Sequence, residues 1–439
     1  MKTSLLEQVR QMETLGGAWR VTLENGRSSP SIDTRREIEE FATSAEKRLT
    51  KIQRQLNRNA FRFSPAKGVA ARKKGKKGIR PLVVAPIDSR IVQRAIHDVL
   101  VKVPAIRQYA ENPYSFGGVK KQVGQRLAAV PAAIQAVLAA IGDGATYVIR
   151  SDISAFFTKI PKPIVTGIVA GATCEPSFME LFGQAITVEL ENLASLREHA
   201  SAFPIQEIGV AQGNSLSPLL GNLLLYDFDQ QMNTGECRTI RYIDDFLILA
   251  PSRRLAERQF FEGREHLKKL GLEVSTEKTS KAYVADGFEF LGIEMGNGLI
   301  RPNRKSRNRL LASVSAAFNK SVFAFQSYRK TGTIFRSFTL IRTLSEVSGI
   351  VSGWGAPYSF CNDKNVFRQL DCEIDSLLRQ YLGAYSAALK SADQRGRRRL
   401  LGLLLLEELA SKCFEWPKPT DITQASPKPA LPSTIVASS

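Results

Sequence analysis

The chain has 439 residues, enough for two to four lobes with real cores, and is 43% hydrophobic and 23% charged, which is ordinary for a soluble globular protein. Lysine and arginine exceed aspartate and glutamate by 19. A surplus that large repels itself, so a polyanionic partner is expected. Nucleic acid comes first, because no amphipathic anchor or lipidation signal supports a membrane.

The start, MKTSLLEQVRQMETLGG, is charged within its first ten residues and has no apolar core, so it does not read as a signal peptide. No run of 18 apolar residues follows, and a cytoplasmic location is expected. Residues 1–60 read as a helical N-terminal extension, with Ile38, Phe41, Ala45, Leu49 and Ile52 at helical spacing. ARKKGKKGIR at 71–80 carries six cations, no acid and two glycines, the composition of a loop or hairpin tip. PLVVAP at 81–86 predicts a short strand, and residues 88–103 and 126–142 predict helices. TYVIRSD at 146–152 predicts a strand that ends in an acid, and a mostly helical stretch runs on to about residue 200. GNSLSPLLGNLLLYDFDQQM, after Gln212, predicts a loop entering a helix. TIRYIDDFLILAP predicts strand, tight acidic turn, strand. An amphipathic helix is expected over 254–270, and GFEFLGIEM with GLIRP reads as a pair of short strands. Helices are expected from about 305 to 415, then a Pro/Ser-rich disordered tail over 417–439.

The chemistry centres on three acids. Asp152 ends an apolar strand, and Asp244–Asp245 lies between two others. Adjacent carboxylates in a half-buried hairpin repel, and a divalent cation removes that repulsion. Carboxylate oxygens suit Mg2+, and two such ions clamp the attacking and leaving oxygens of a phosphoryl displacement. A plain hairpin turn and a helix cap would explain the same spacing. The three histidines and five scattered cysteines supply neither a His-based metal site nor a CxxC zinc site or disulfide framework.

RYIDDFLILA resembles the Tyr-x-Asp-Asp motif of reverse transcriptases, and SDISAFF at 151–157 resembles their first catalytic motif. AQGNSLSPLLGNLLL at 211–225 is similar to the Gln-Gly-x-x-x-Ser-Pro motif. GLEVSTEK at 271–278 and EFLGIEM at 289–295 are similar to the two motifs that follow, the second being the primer-grip hairpin. GIRPLVVAPIDSRIVQRAI at 78–96 and NPYSFGG at 112–118 resemble finger motifs of bacterial retroelement enzymes. The motifs stand in the family's order across about 75–300.

The resemblance implies an α+β right-hand polymerase fold: fingers over 61–145, an antiparallel palm backed by helices over 146–300, and a helical thumb over 301–416. It implies two Mg2+ ions, with Mn2+ as a substitute, held by Asp152, Asp244 and the Ile153 carbonyl, with Asp245 close beside them. Phe157 would pack under the incoming sugar and exclude a 2′-hydroxyl, so the product would be DNA. Arg80 would reach the triphosphate, assisted by Lys73. Gln212 and Gly213 would line the nucleotide, and Ser217–Pro218 would start the supporting helix. Lys278 would serve the leaving pyrophosphate. Tyr242 would meet the primer terminus, with Leu291 and Gly292 in the grip.

RPNRKSRNR at 301–309 would hold the template–primer backbone through Arg301, Arg304, Lys305 and Arg307. Arg395, Arg397, Arg398 and Arg399 would bind a structured RNA or cover a helix surface, and Trp354 reads as thumb core. The resemblance is to group II intron and retron enzymes. Asn214 stands where group II enzymes carry a second glycine, Ser217–Pro218 departs from the Ser-Gln of diversity-generating enzymes, and Val-Thr-Gly occurs only at 165–167, between palm motifs. No ribonuclease H or integrase module fits. By elimination, the chain is expected to resemble free-standing defence-associated reverse transcriptases, with dNTPs, a structured non-coding RNA and a DNA product as partners. A homo-oligomer or an accessory protein stays open. The alternatives are a retron or intron-derived enzyme or maturase, and an RNA-binding scaffold with an idle site.

Overall fold

In the computed structural model, residues 5–57 fold as four helices: α1 (Leu5–Arg10), α2 (Met12–Arg27), α3 (Ile32–Ala42) and α4 (Ala45–Asn57). Ser4 and Glu7 close a capping box on α1, and Ser31 caps α3. The described residues are 3–72, 78–118 and 129–408. Lys73 and the tail expected from residue 417 lie outside them.

β1 (Lys67–Arg72) and β2 (Ile79–Val84) pair antiparallel on either side of the basic stretch. α5 (Ile87–Leu100), α6 (Pro104–Ala110) and α7 (Ala129–Gly142) follow. The apolar face of α5 is buried against α1 and α2. Leu15, Trp19, Ile52, Ile91 and Ile96 therefore share one core with Ile149 and Ile153. The N-terminal helices are thus part of this core.

β3 (Tyr147–Asp152) leads into α8 (Phe156–Lys159), α9 (Lys162–Thr173) and α10 (Pro176–Ile186). After an irregular segment come α11 (Ser217–Leu224), α12 (Tyr226–Gln231), β4 (Arg238–Tyr242), β5 (Asp245–Ala250) and α13 (Arg253–Lys269). β6 (Ser280–Tyr283) completes an antiparallel sheet in the order β4-β5-β3-β6. α7 packs against β4 and β5, and α13 packs against β3 and β5. With helices against it, FLILA in β5 is buried at every residue instead of alternating.

Residues 287–302 form three strands rather than the expected two: β7 (Phe288–Phe290), β8 (Ile293–Gly296) and β9 (Leu299–Pro302). The extra reversal comes from Leu291 and Gly292, both at positive φ. Asn362 clasps β9: its Oδ1 accepts from Ile300 N at 2.7 Å and its Nδ2 donates to Gly298 O at 2.9 Å. Residues Phe360–Asp363 thereby join the unit that ends at Asn303.

The second unit holds α14 (Arg304–Thr331), α15 (Leu340–Gly355), α16 (Lys364–Lys390) and α17 (Gln394–Leu401). Its core joins Val314, Phe318, Phe325, Val347 and Leu370 to Tyr381. Trp354 is half-buried beside Tyr358, and its Nε1 donates to Ser306 Oγ at 3.0 Å. The long α14 thus begins where the first unit's main stretch ends, at Asn303. No helix among the described residues is long and apolar enough to cross a membrane.

Candidate active site

Strand register brings the acids together. Asp152, the last residue of β3, pairs directly with Asp245, the first residue of β5. Opposed residues in an antiparallel pair have Cα atoms about 4.5–5.5 Å apart. Ile243 and Asp244 form the turn between β4 and β5, and Asp244 O accepts from Ile153 N at 2.8 Å. Asp152 O accepts from Ser275 N at 2.7 Å, which fixes the end of β3 from the far side and brings the Lys278 segment alongside.

The three carboxylates have different surroundings. Lys278 Nζ lies 2.5 Å from Asp152 Oδ1. Arg150 grips Asp245 with Nη2 on Oδ2 at 2.7 Å and Nε on Oδ1 at 3.1 Å. Asp244 makes no such ion pair among the described residues; burial, and then the neighbouring Asp152 charge, push its carboxyl up to about 6. Burial also raises Asp245, opposed by Arg150.

These oxygens fit a hard divalent cation, which would relieve the crowding between Asp152 and Asp244. Among the described residues, no three acidic, histidine or cysteine side chains converge as a ready cation cage, because Asp245 is turned into Arg150.

An open cavity of about 1340 Å³ lies against the acids. Phe157 lines it half-buried, whereas Phe156 beneath is core, with its ring where a Cβ on Gly221 would sit at 2.8 Å. Ala155, at positive φ, caps the short helix that carries both rings, whose centroids lie 5.4 Å apart. Arg80 reaches the cavity exposed from β2. Gln212 O accepts from Val83 N at 3.0 Å, which docks the Gln-Gly loop on β2. Gly213 has φ +123°, and a Cβ there would meet Val83 O at 2.7 Å, so the approach excludes any side chain. Tyr242 and Leu291 line the same cavity; Gly292 follows in the β7–β8 turn, and its carbonyl accepts from Asn303 N at 2.9 Å. Ser217 begins α11 as expected, and its hydroxyl donates to Ala211 O at 2.7 Å.

The basic stretch divides. Arg301 lies on β9, paired with Glu294 at 3.0 Å and Asp363 at 3.4 Å. Arg304, Lys305 and Arg307 open α14 in the other unit, with Arg304 and Lys305 exposed. In α17, Arg395 pairs with Glu407 at 2.9 Å and Arg399 pairs with Glu408.

Sequence reasoning missed Arg150. The strand period carried the signal, because residues 150 and 152 of one strand share a face. It also missed the fully buried pair Asp229–Arg241, whose only trace is two charges in apolar surroundings.

Residues 71–295, half of the chain, match the reverse transcriptase (RNA-dependent DNA polymerase) family. The chain is 26% identical to Protein YkfC of Escherichia coli (strain K12) over 329 residues, covering 66% of this chain and 81% of that protein. It is also 26% identical over 182 residues to an uncharacterized 91 kDa protein in the cob intron of Schizosaccharomyces pombe, covering 42% of this chain and 20% of that protein. Among solved structures, a truncated apo telomerase from Candida tropicalis matches with a TM-score of 0.37 at 15% identity, covering 55% of each chain. A chain of a partial Cas6-RT-Cas1–Cas2 complex matches with a TM-score of 0.34 at 20% identity, covering 61% of this chain and 42% of that one. The family match, on a chain of mixed helix and antiparallel sheet, bears out the expected right-hand polymerase fold. The chain belongs to the reverse transcriptase family of RNA-dependent DNA polymerases, which are nucleotidyltransferases.

Proposed function

We propose that the chain extends a primer with deoxynucleotides on an RNA template, using Asp152 and Asp244 as its metal-holding acids. One observation supports this reading: Asp152 and Asp244 line the same open cavity of about 1340 Å³, at the end of the paired strands β3 and β5. Asp152, Asp244 and the carbonyl of Ile153 would hold two Mg2+ ions, or Mn2+ in their place, with Asp245 kept beside them by Arg150. When bound, such ions polarise the attacking hydroxyl and neutralise charge on the triphosphate.

The remaining work falls to side chains. Arg80 orients the triphosphate, with Lys73 as a further expected contact. Lys278, held on Asp152, neutralises pyrophosphate as it leaves. Phe157 occupies the space beneath the sugar, where a 2′-hydroxyl would clash. Gln212 and Gly213 present backbone to the nucleotide. Tyr242, Leu291 and Gly292 support the primer end, and Arg301, Arg304, Lys305 and Arg307 the duplex backbone. On this reading residues 61–145 serve as fingers, 146–300 as palm and 301–416 as thumb.

For the template, the departures at Asn214 and Ser217–Pro218 favour a defence-type enzyme that works on a dedicated structured RNA in the cytoplasm. The match to a protein in the cob intron favours a second reading, an intron-derived or retron-type enzyme. Sequencing the nucleic acid that copurifies with the chain separates them. A single non-coding RNA with its DNA copy supports the first, whereas intron RNA or branched RNA–DNA supports the second. A purified chain that extends no RNA-templated primer at any Mg2+ or Mn2+ concentration contradicts the polymerase reading.

A further inference from the structure

Ile243 stands in the left-handed region, at φ +60°. For a β-branched residue this is a strained conformation, which persists only where the surroundings impose it. The residue lies between Tyr242 and Asp244, so the strain sits in the peptide that carries a proposed metal-holding acid.

The surroundings that impose it are buried and polar. Arg241, fully buried on β4, donates from Nε to Asp229 Oδ1 at 2.7 Å and from Nη2 to Asp229 Oδ2 at 2.5 Å. Its remaining nitrogen, Nη1, donates to Ile243 O at 2.9 Å and to Asn222 Oδ1 at 3.1 Å. One planar guanidinium thus ties helix α12, helix α11 and the strained turn together.

A second layer fixes the first. Asn112 Nδ2 donates to Asp229 Oδ2 at 2.7 Å, Ser115 Oγ donates to Asn222 Oδ1 at 3.0 Å, and Asn222 Nδ2 donates to Gly117 O at 3.2 Å. Gly117 lies so close that a Cβ there would stand 2.6 Å from Ile243 N. Backbone bonds from Arg241 N to Tyr114 O and from Phe116 N to Arg241 O, both 2.9 Å, lock the 112–118 loop to β4.

We propose that Arg241, oriented by Asp229 and Asn222, is a positioning residue that holds Ile243 in its strained turn and so presents Asp244 to the reacting groups. The ion pair could have been satisfied with a lysine and a carboxylate. The geometry uses an arginine because the third nitrogen is needed on the turn. The proposal rests on the polymerase reading above.

The test is a double-mutant cycle in the full chain, read by primer extension on a defined RNA template with a DNA primer. Arg241→Lys keeps the charge opposite Asp229 and removes the reach to Ile243 O. It lowers the maximal extension rate about 10²-fold, the cost of a misplaced reacting group, with the primer–template Kd within about threefold of the parent. Ile243→Gly removes the left-handed penalty, so the turn needs less holding. In that background Arg241→Lys costs less than about tenfold, a coupling that merely structural burial of an ion pair does not produce.

Thermal melting accompanies each variant. If Arg241→Lys shows no cooperative transition, Asn222→Ala replaces it; that variant leaves the Arg241–Asp229 pair intact, and the same coupling to position 243 is expected. Equal losses in the two backgrounds overturn the proposal, as does a defect confined to primer–template affinity. A parent chain that does not extend the primer overturns the polymerase reading itself. A parent that extends, with additive losses, overturns only the role of Arg241.

Discussion

Asp245 stands directly opposite Asp152 in the β3–β5 register, yet gives both its oxygens to Arg150. The two acids share one end of the sheet's inner strands and answer to different cations. Arg150 therefore keeps a third negative charge from adding fully to the repulsion between Asp152 and Asp244. Replacing it with alanine leaves Asp245 buried without its partner. The expected loss is about 2 kcal/mol of unfolding free energy, the cost of removing charged hydrogen bonds from a partly buried acid. Mg2+ should recover part of that loss, because the freed Asp245 can then join the cation site. Denaturant titration of Arg150→Ala with and without Mg2+ checks both statements.

Asp244 makes stability depend on pH in a stated direction. Burial and Asp152 push its carboxyl up to about 6. An acid raised on folding contributes stability that is fully present below the unfolded value and is lost as pH rises through the folded one. In metal-free buffer at about pH 7.5, Asp244→Asn should therefore melt higher than the parent by roughly 1–3 °C. At about pH 4.5 the difference should shrink, since the parent's carboxyl is then protonated. Melting curves at the two pH values decide it.

Phe157 lines the cavity half-buried above the core residue Phe156. Phe157→Ala should leave the fold intact and raise the ratio of ribonucleotide to deoxynucleotide incorporation by about tenfold or more. Single-nucleotide extension with matched rNTP and dNTP measures the ratio. An unchanged ratio would assign the ring to packing alone.

Gly213 has no room for a side chain, since a Cβ would press to 2.7 Å from Val83 O at a φ of +123°. Gly213→Ala should cost about 1–3 kcal/mol of local strain, relieved by moving the Gln212 loop off β2. The expected kinetic signature is a raised KM for nucleotide with little change in primer–template affinity.

The parts of this site that were legible in the sequence are those governed by short-range pattern. An apolar run ending in Asp152 and a two-residue acidic turn between apolar strands define β3, β4 and β5 without tertiary information. Gly213 and Phe157 came instead from the resemblance to reverse transcriptase motifs, since neither a lone glycine nor an aromatic pair carries a role by itself. What stayed hidden depends on partners distant in sequence. Arg150 meets Asp245 only once the strands pair, and Arg241 meets Asp229 only once α12 packs beneath β4. The third strand of 287–302 was missed because Leu291, a residue that rarely takes positive φ, makes the turn together with Gly292. For the helices of 5–57, periodicity reveals an apolar face without saying what covers it; α5 does.

Arg304 and Lys305 are exposed at the start of α14. If they hold the duplex backbone, the double alanine variant should reduce the slope of log affinity against log salt by about 1–2 units. Filter binding of an RNA–DNA hybrid over a salt series reads it directly.

The claim beneath all of this is that Asp152 and Asp244 act together on one phosphoryl transfer. The most direct measurement is single-turnover primer extension on an RNA template by Asp152→Asn, Asp244→Asn and the double variant, with hybrid affinity measured in parallel. Each single variant should lose at least about 10³-fold in rate, the double variant scarcely more, and hybrid binding should be retained. Extension at the parent rate by either single variant would contradict it.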